Sequence, residues 1–194
     1  MSEIWVVTGG IGSGKSTIRH TLEELGAISI DADRVGHAVL EPGGAAHEAV
    51  AARWPEVVRP DGSIDRARLG SIVFADADQL RELEGISHPA IGAEIARRVA
   101  EAGSGLIVVE ISVPKDLVGA GWLRTIVADL PDDERRSRLS ARGMAEGDIE
   151  RRMSAQPPRH AWRGRGRWLL STAGTRDEVA ERVQRLWRDV IRRG

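Results

Sequence analysis

Residues 6–17 read VVTGGIGSGKST, an apolar run that stops at Thr8, then four glycines, a lysine and two hydroxyl side chains, followed by the amphipathic IRHTLEELGA. Gly9, Gly14, Lys15 and Ser16 fit the spacing G-x-x-x-x-G-K-[ST], with a strand expected before it and a helix after it. The pattern has a physical reason. Successive backbone N–H groups from Gly10, Ile11, Gly12, Ser13 and Gly14 can curl into a nest for phosphate oxygens, because glycine removes the Cβ clashes that forbid such a curl. The following helix adds the positive end of its dipole. Lys15 supplies a mobile cation for the outer phosphates, and Ser16 supplies a hydroxyl for Mg²⁺, with Thr17 behind it. The plainer reading is a flexible glycine turn. With glycine near ~7% of residues on average, a chance match in a chain this long is on the order of one in a hundred. The chain has only two lysines, Lys15 and Lys115, and one of them stands here.

A chain of 194 residues holds one well-buried core. An apolar share of 41% and a charged share of 29% are those of a folded globular protein. The absence of cysteine removes disulfides and thiolate metal sites from consideration. No apolar run reaches membrane-spanning length, and the first residues lack the charged-then-apolar layout of a signal peptide. The expectation is a cytoplasmic enzyme or binding protein with no membrane partner. The net charge of −1 hides an asymmetry: Arg151, Arg152, Arg159, Arg163, Arg165 and Arg167 follow one another with no acid between them. Such a stretch can bind nucleic acid, cover nucleotide phosphates or form a solvated face.

Short runs at 4–8, 27–30, 106–111, 125–128 and 168–171 are apolar over their whole length, the mark of strands buried on both faces. Between them lie helical patterns. Ile18, Leu22 and Leu25 share one side over 16–25. Leu80, Leu83, Ile91, Ile95 and Val99 do so over 76–102, with Pro89 expected to bend or break the helix. Thr175 and Glu178 form a capping-box signature ahead of Val179, Val183, Leu186 and Val190. Strands alternating with helices predict an α/β fold, a five-stranded parallel sheet flanked by helices. Two excursions from it are expected: a helical flap from about 34 to 102 and an arginine-rich lid from about 132 to 165.

Binding a nucleoside triphosphate does not name a reaction, yet the length suits a small-molecule kinase, which needs a base near its acceptor and an acid to organise metal. Asp31 and Asp33 follow the second strand, where the carboxyl end of a doubly wound sheet opens into its crevice. Asp33 is the expected base; Asp31 is structural or metal-linked, and capping the next helix is the plainer role for one of the two. Glu110 ends LIVVE as the acid of a metal-organising strand would, although strand-end glutamates often only face solvent.

These residues resemble the dephospho-CoA kinase family, which phosphorylates the 3′-hydroxyl of dephospho-CoA with ATP. The resemblance rests on TGGIGSGKST at 8–17, IDAD at 30–33, EPGG at 41–44, DGSIDRARLGSIVF at 61–74, LEGISHP at 83–89 and the stretch from ERRSRLSAR to SAQ at 134–156. It implies the P-loop NTPase fold, ATP and Mg²⁺ as requirements and dephospho-CoA as partner. It further implies Asp33 as general base, Arg66 and His88 as acceptor-holding residues, and Arg138 and Arg142 as lid guanidinium groups against the transferring phosphate. Asp31 joins the substrate site, and Glu110 or Asp33 reaches the metal through water. The chain departs from the family at ISVPKD, 111–116, where a Pro-Leu-Leu-aromatic-Glu stretch is usual. It also departs at Arg167 and Thr172, which replace an Asp and an Asn, and at Arg135, which replaces a glutamine of the lid helix. A relative that phosphorylates another small alcohol or nucleoside-like acceptor therefore stays open, as does a non-catalytic nucleotide- or nucleic-acid-binding protein.

Overall fold

The computed structural model describes residues 2–113, 115–119 and 124–191. They pack as two compact units, residues 1–31 with 102–194, and residues 32–101.

The first unit is built on five strands: β1 (Ser2–Thr8), β2 (Ile28–Asp31), β3 (Gly105–Ile111), β4 (Thr125–Asp129) and β5 (Trp168–Ser171). They pair in the order β2-β3-β1-β4-β5, all parallel. The apolar runs form strands because a parallel sheet covered on both faces offers them no wet side. Val7, Ile107, Ile126 and Val127 are fully buried accordingly. One face packs against α1 (Lys15–Glu24) and α9 (Arg176–Asp189), whose Ile18, Leu22, Val179 and Val183 join Trp5, Val108 and Leu170 in one core. The Trp168 ring stacks on Trp5 with centroids 4.5 Å apart, an intra-core role. The capping box of α9 forms as its sequence predicts: Glu178 N–H donates to Thr175 Oγ1, and Thr175 N–H donates to Glu178 Oε2.

The topology fixes the site. β1 lies between β3 and β4, so the chain leaves its carboxyl end where connections diverge to the two sides of the sheet, and ligands bind at such a switch point. The glycine-rich loop starts there, at Gly9. The arginine-rich segment follows β4 as three helices, α6 (Asp132–Ala141), α7 (Glu146–Ser154) and α8 (Arg159–Arg163).

The second unit carries α2 (Ala32–Ala38), α3 (His47–Arg53), a 3-10 turn at Pro55–Val57, α4 (Arg66–Val73) and most of α5 (Ala77–Ala102). Val50, Trp54, Val57, Ile64, Leu69 and Val73 form its core. Of the bend or break expected at Pro89, the break does not occur: α5 runs through it and continues for 26 residues. Proline removes one ladder bond and crowds the carbonyl four residues back, an effect of roughly 3 kcal/mol. That carbonyl belongs to Gly85, which is exposed. Leu80, Leu83 and Ile86 before the proline, with Ile91 and Ile95 after it, bury enough apolar surface to outweigh the lost bond. Among the described residues no helix is long and apolar enough to cross a membrane.

Candidate active site

Glycine is required at several points of the loop, Gly12 and Gly14 among them. Gly12 has φ +75°, and a Cβ there would meet Leu139 at 3.0 Å; Gly14, the N-cap of α1, has φ +89°, and its Cβ would press on Thr172 at 3.1 Å. Lys15 opens α1, is buried, and its Nζ donates to the Gly10 carbonyl at 3.3 Å. Ser16 beside it is exposed. The motif therefore places its cation and its hydroxyl at the start of a helix, as the phosphate reading requires.

Register brings the acids alongside. Asp31 pairs with Glu110 across β2 and β3, and Val7 pairs with Glu110 across β1 and β3. The Ser16 hydroxyl donates to Glu110 Oε1 at 3.1 Å. Arg19, one turn after Lys15, donates from Nε to Glu110 Oε2 at 2.8 Å and from Nη1 to Glu23 Oε1 and Ser29 Oγ at 2.8 and 3.2 Å. Glu110 is 7% exposed and Arg19 8%, so neither charge could be kept there without the other. Burial opposes the charge on Arg19. The hydrogen bond to Glu110 and the carboxylates of Glu23 and Asp31 outweigh it, and the guanidinium pKa is raised. Sequence reasoning missed Arg19; its one visible signal was the i,i+4 spacing to Glu23.

This set of oxygens fits Mg²⁺, which takes one or two protein ligands and completes its shell with phosphate oxygens and water. A hydroxyl hydrogen-bonded to a buried carboxylate is such a partial donor set.

The arginine-rich segment lies against the loop. Arg138 donates from Nη2 to the Thr172 carbonyl at 2.5 Å and to the Gly174 carbonyl at 3.4 Å. The Thr172 hydroxyl donates to the Ser13 carbonyl at 2.6 Å. Arg138, Arg142, Thr17, Thr175 and Arg176 line a cavity of about 150 Å³ at this point. Arg159 grips Asp129, at the end of β4, with two bonds of 2.8 Å, and Arg163 adds an ion pair at 3.5 Å. The Arg159 hydrogen bonds hold the Asp129 carboxyl below its usual range, against the opposing effect of burial. Arg151 pairs with Asp148, Arg165 lies over the buried Trp162, and Arg167 lies over Trp168. Five of the six arginines in the acid-free run thus have partners within the fold.

Within the second unit, Asp33 is exposed in the first turn of α2, where the helix dipole favours a carboxylate. Arg66 is the first residue of α4, exposed, behind the Asp65 cap that accepts from the Ala67 and Arg68 N–H groups. His88 is half-buried on α5, ahead of Pro89. Of the altered segment 111–116, Pro114 lies outside the described residues, as does Trp122. Thr172, the replacement for an asparagine, is fully buried and ties the 172–175 loop to the phosphate loop.

The sequence matches the Dephospho-CoA kinase family over residues 4–178. A curated dephospho-CoA kinase of Thermobifida fusca is 39% identical over 192 residues, covering 96% of each chain. One of Geobacter sulfurreducens is 36% identical over 187 residues, covering 93% of this chain and 95% of the relative. Among solved structures, a Thermus thermophilus protein superposes with a TM-score of 0.83 at 30% identity, covering 95% of both chains.

Proposed function

The chain belongs to the dephospho-CoA kinase family, and on that premise we propose that it transfers the γ-phosphoryl group of ATP to the 3′-hydroxyl of dephospho-CoA, giving CoA and ADP. The observation that carries the reading is the intact phosphate-loop apparatus, Lys15 and Ser16 at the head of α1 with Glu110 on the Ser16 hydroxyl. Backbone N–H groups of Gly12, Gly14, Lys15 and Ser16 cradle the β-phosphate, and Lys15 leaves the Gly10 carbonyl for the oxygens of the transferring group. Ser16 would hold Mg²⁺, with Glu110 or Asp33 reaching it through water, and the bound ion would neutralise phosphate charge.

Asp33 accepts the proton of the attacking hydroxyl. It follows Asp31 by two residues, a tether of about 7 Å at most, so its backbone stays near the end of β2. The acceptor oxygen bonds to the γ-phosphorus as the bond to the bridging oxygen breaks, and ADP leaves with that electron pair. Arg66 and His88 hold the acceptor. Arg138 and Arg142 bring guanidinium charge to the nucleotide from the cavity beside Thr17, where their planar forks suit phosphate oxygens. A cysteine-free chain that uses ATP fits action in the cytoplasm.

The test is Asp33→Asn. Removal of a general base lowers kcat by roughly 10²–10⁴-fold, while ADP binding measured by calorimetry stays as in the wild type. Wild-type turnover by the asparagine variant would place the base elsewhere.

A further inference from the structure

Ile11, at the tip of the phosphate loop, has both backbone polar atoms taken by side chains of the arginine-rich segment. Its N–H donates to Gln156 Oε1 at 2.7 Å, and its carbonyl accepts from Arg135 Nε at 2.8 Å. Gln156 comes just after α7 and Arg135 lies on α6, so two separate elements hold one residue from opposite sides. Arg135 is 4% exposed; its Nη1 donates to Asp132 at 2.8 Å, and its Nη2 is buried with no hydrogen-bond partner. A Cβ on Gly10 would collide with this guanidinium, and Leu139, one turn further along α6, fills the space beside Gly12. A buried cation with an open donor lowers stability, and a residue kept at that cost invites a functional explanation.

We propose that Gln156 and Arg135 are positioning residues that clamp the phosphate loop through Ile11. The clamp keeps the loop in its phosphate-binding curl before nucleotide arrives and keeps α6 and α7 docked to it. The Ile11 N–H then serves as an anchor of the loop, and the phosphate donors are those of Gly12, Gly14, Lys15 and Ser16, since the Ser13 and Thr17 N–H groups donate to the Gly10 and Gly14 carbonyls. Loop glycines at 10 and 12 have a second duty, since they let Arg135 and Leu139 approach the backbone. Pre-ordering a loop raises affinity by removing the ordering cost from the binding step. Loss of one clamp bond should weaken ATP and ADP binding by about tenfold, with the acceptor KM unchanged. The effect on nucleotide rests on the kinase reading; the clamp itself is visible without nucleotide.

The experiment is residue-resolved hydrogen exchange on the nucleotide-free full chain, paired with ADP calorimetry and the KM values for both substrates. In the wild type the Ile11 amide is protected. In Gln156→Leu it exchanges at least tenfold faster, while Val6 and Val7 in β1 keep their protection, which separates loss of the clamp from general destabilisation. Gln156→Glu retains an acceptor oxygen and restores Ile11 protection. Arg135→Met leaves the Ile11 N–H on Gln156 and raises the ATP KM alone, so the proposal remains testable if Gln156→Leu does not fold. Fast Ile11 exchange in the wild type, or an equal rise in both KM values, overturns it. A protected Ile11 in a wild type that binds no nucleotide leaves the clamp standing and removes the kinase reading.

Discussion

The phosphate-loop unit and the segment 32–101 are held together by contacts of different reach. Around the loop, the partners come from far along the chain: Gln156 is 145 residues from Ile11, Arg135 is 124, Thr172 is 159 from Ser13, and Glu110 is 94 from Ser16. In 32–101 many of the polar ties join close neighbours, as when Asp61 accepts from Ser63, Asp65 caps α4, Asp76 accepts from Asp78 and Gln79, and Glu94 takes Arg97 and Arg98. Arg53 to Glu82, a span of 29 residues, is a longer tie there. The phosphate loop therefore takes its shape only when its whole unit is folded, whereas the smaller unit takes its shape from caps and turns gathered on one compact core. A segment of the second kind opens more readily.

Three substitutions test that contrast, in falling order of effect. Trp54→Ala removes the largest side chain from the core of 32–101 and costs about 3–5 kcal/mol of that segment's stability. Urea unfolding should show this segment lost first while ADP binding by the other unit persists; simultaneous loss of both would erase the distinction. Lys15→Met removes a preorganised cation from the donor side, for a loss of roughly 10²–10³ in kcat with the acceptor KM little changed in steady-state kinetics. The smallest effect is one of pH. The Asp129 pKa is lowered in the fold, first by its bonds from Arg159, so the stability it contributes is full above the unfolded value near 3.9 and is lost as pH falls from there through the folded value. Thermal unfolding between pH 7 and 3 should show this acid loss in the wild type and a weaker one in Asp129→Asn. The half-buried Glu94 carboxyl, pushed down to about 2 by Arg97 and Arg98, follows the same sign, its pair with the exposed Arg97 discounted for screening.

The same contrast explains what the sequence made legible. The phosphate loop, the five strands and the capping box at Thr175 are local patterns, and each formed where its spacing placed it. Gln156, Arg19 and the bond from Thr172 to Ser13 carry no local periodicity, since their partners are set by the fold of the whole unit. Arg135 was visible as a departure from the family, but only the fold shows it inserted beneath Ile11. Pro89 does not break α5, because its local penalty is outweighed by the apolar packing on either side of it. Thr172 reads differently once placed: a residue that the sequence shows only as a departure from the family donates its hydroxyl to the phosphate loop.

The most direct measurement mixes the protein with ATP, Mg²⁺ and dephospho-CoA and follows the acceptor by mass, with the position of the new phosphate assigned by ³¹P NMR. A gain of one phosphoryl group at the 3′-hydroxyl, slowed roughly 10²–10³-fold in Lys15→Met, is the result expected. An acceptor that stays unphosphorylated while the folded protein still binds ATP would contradict the account.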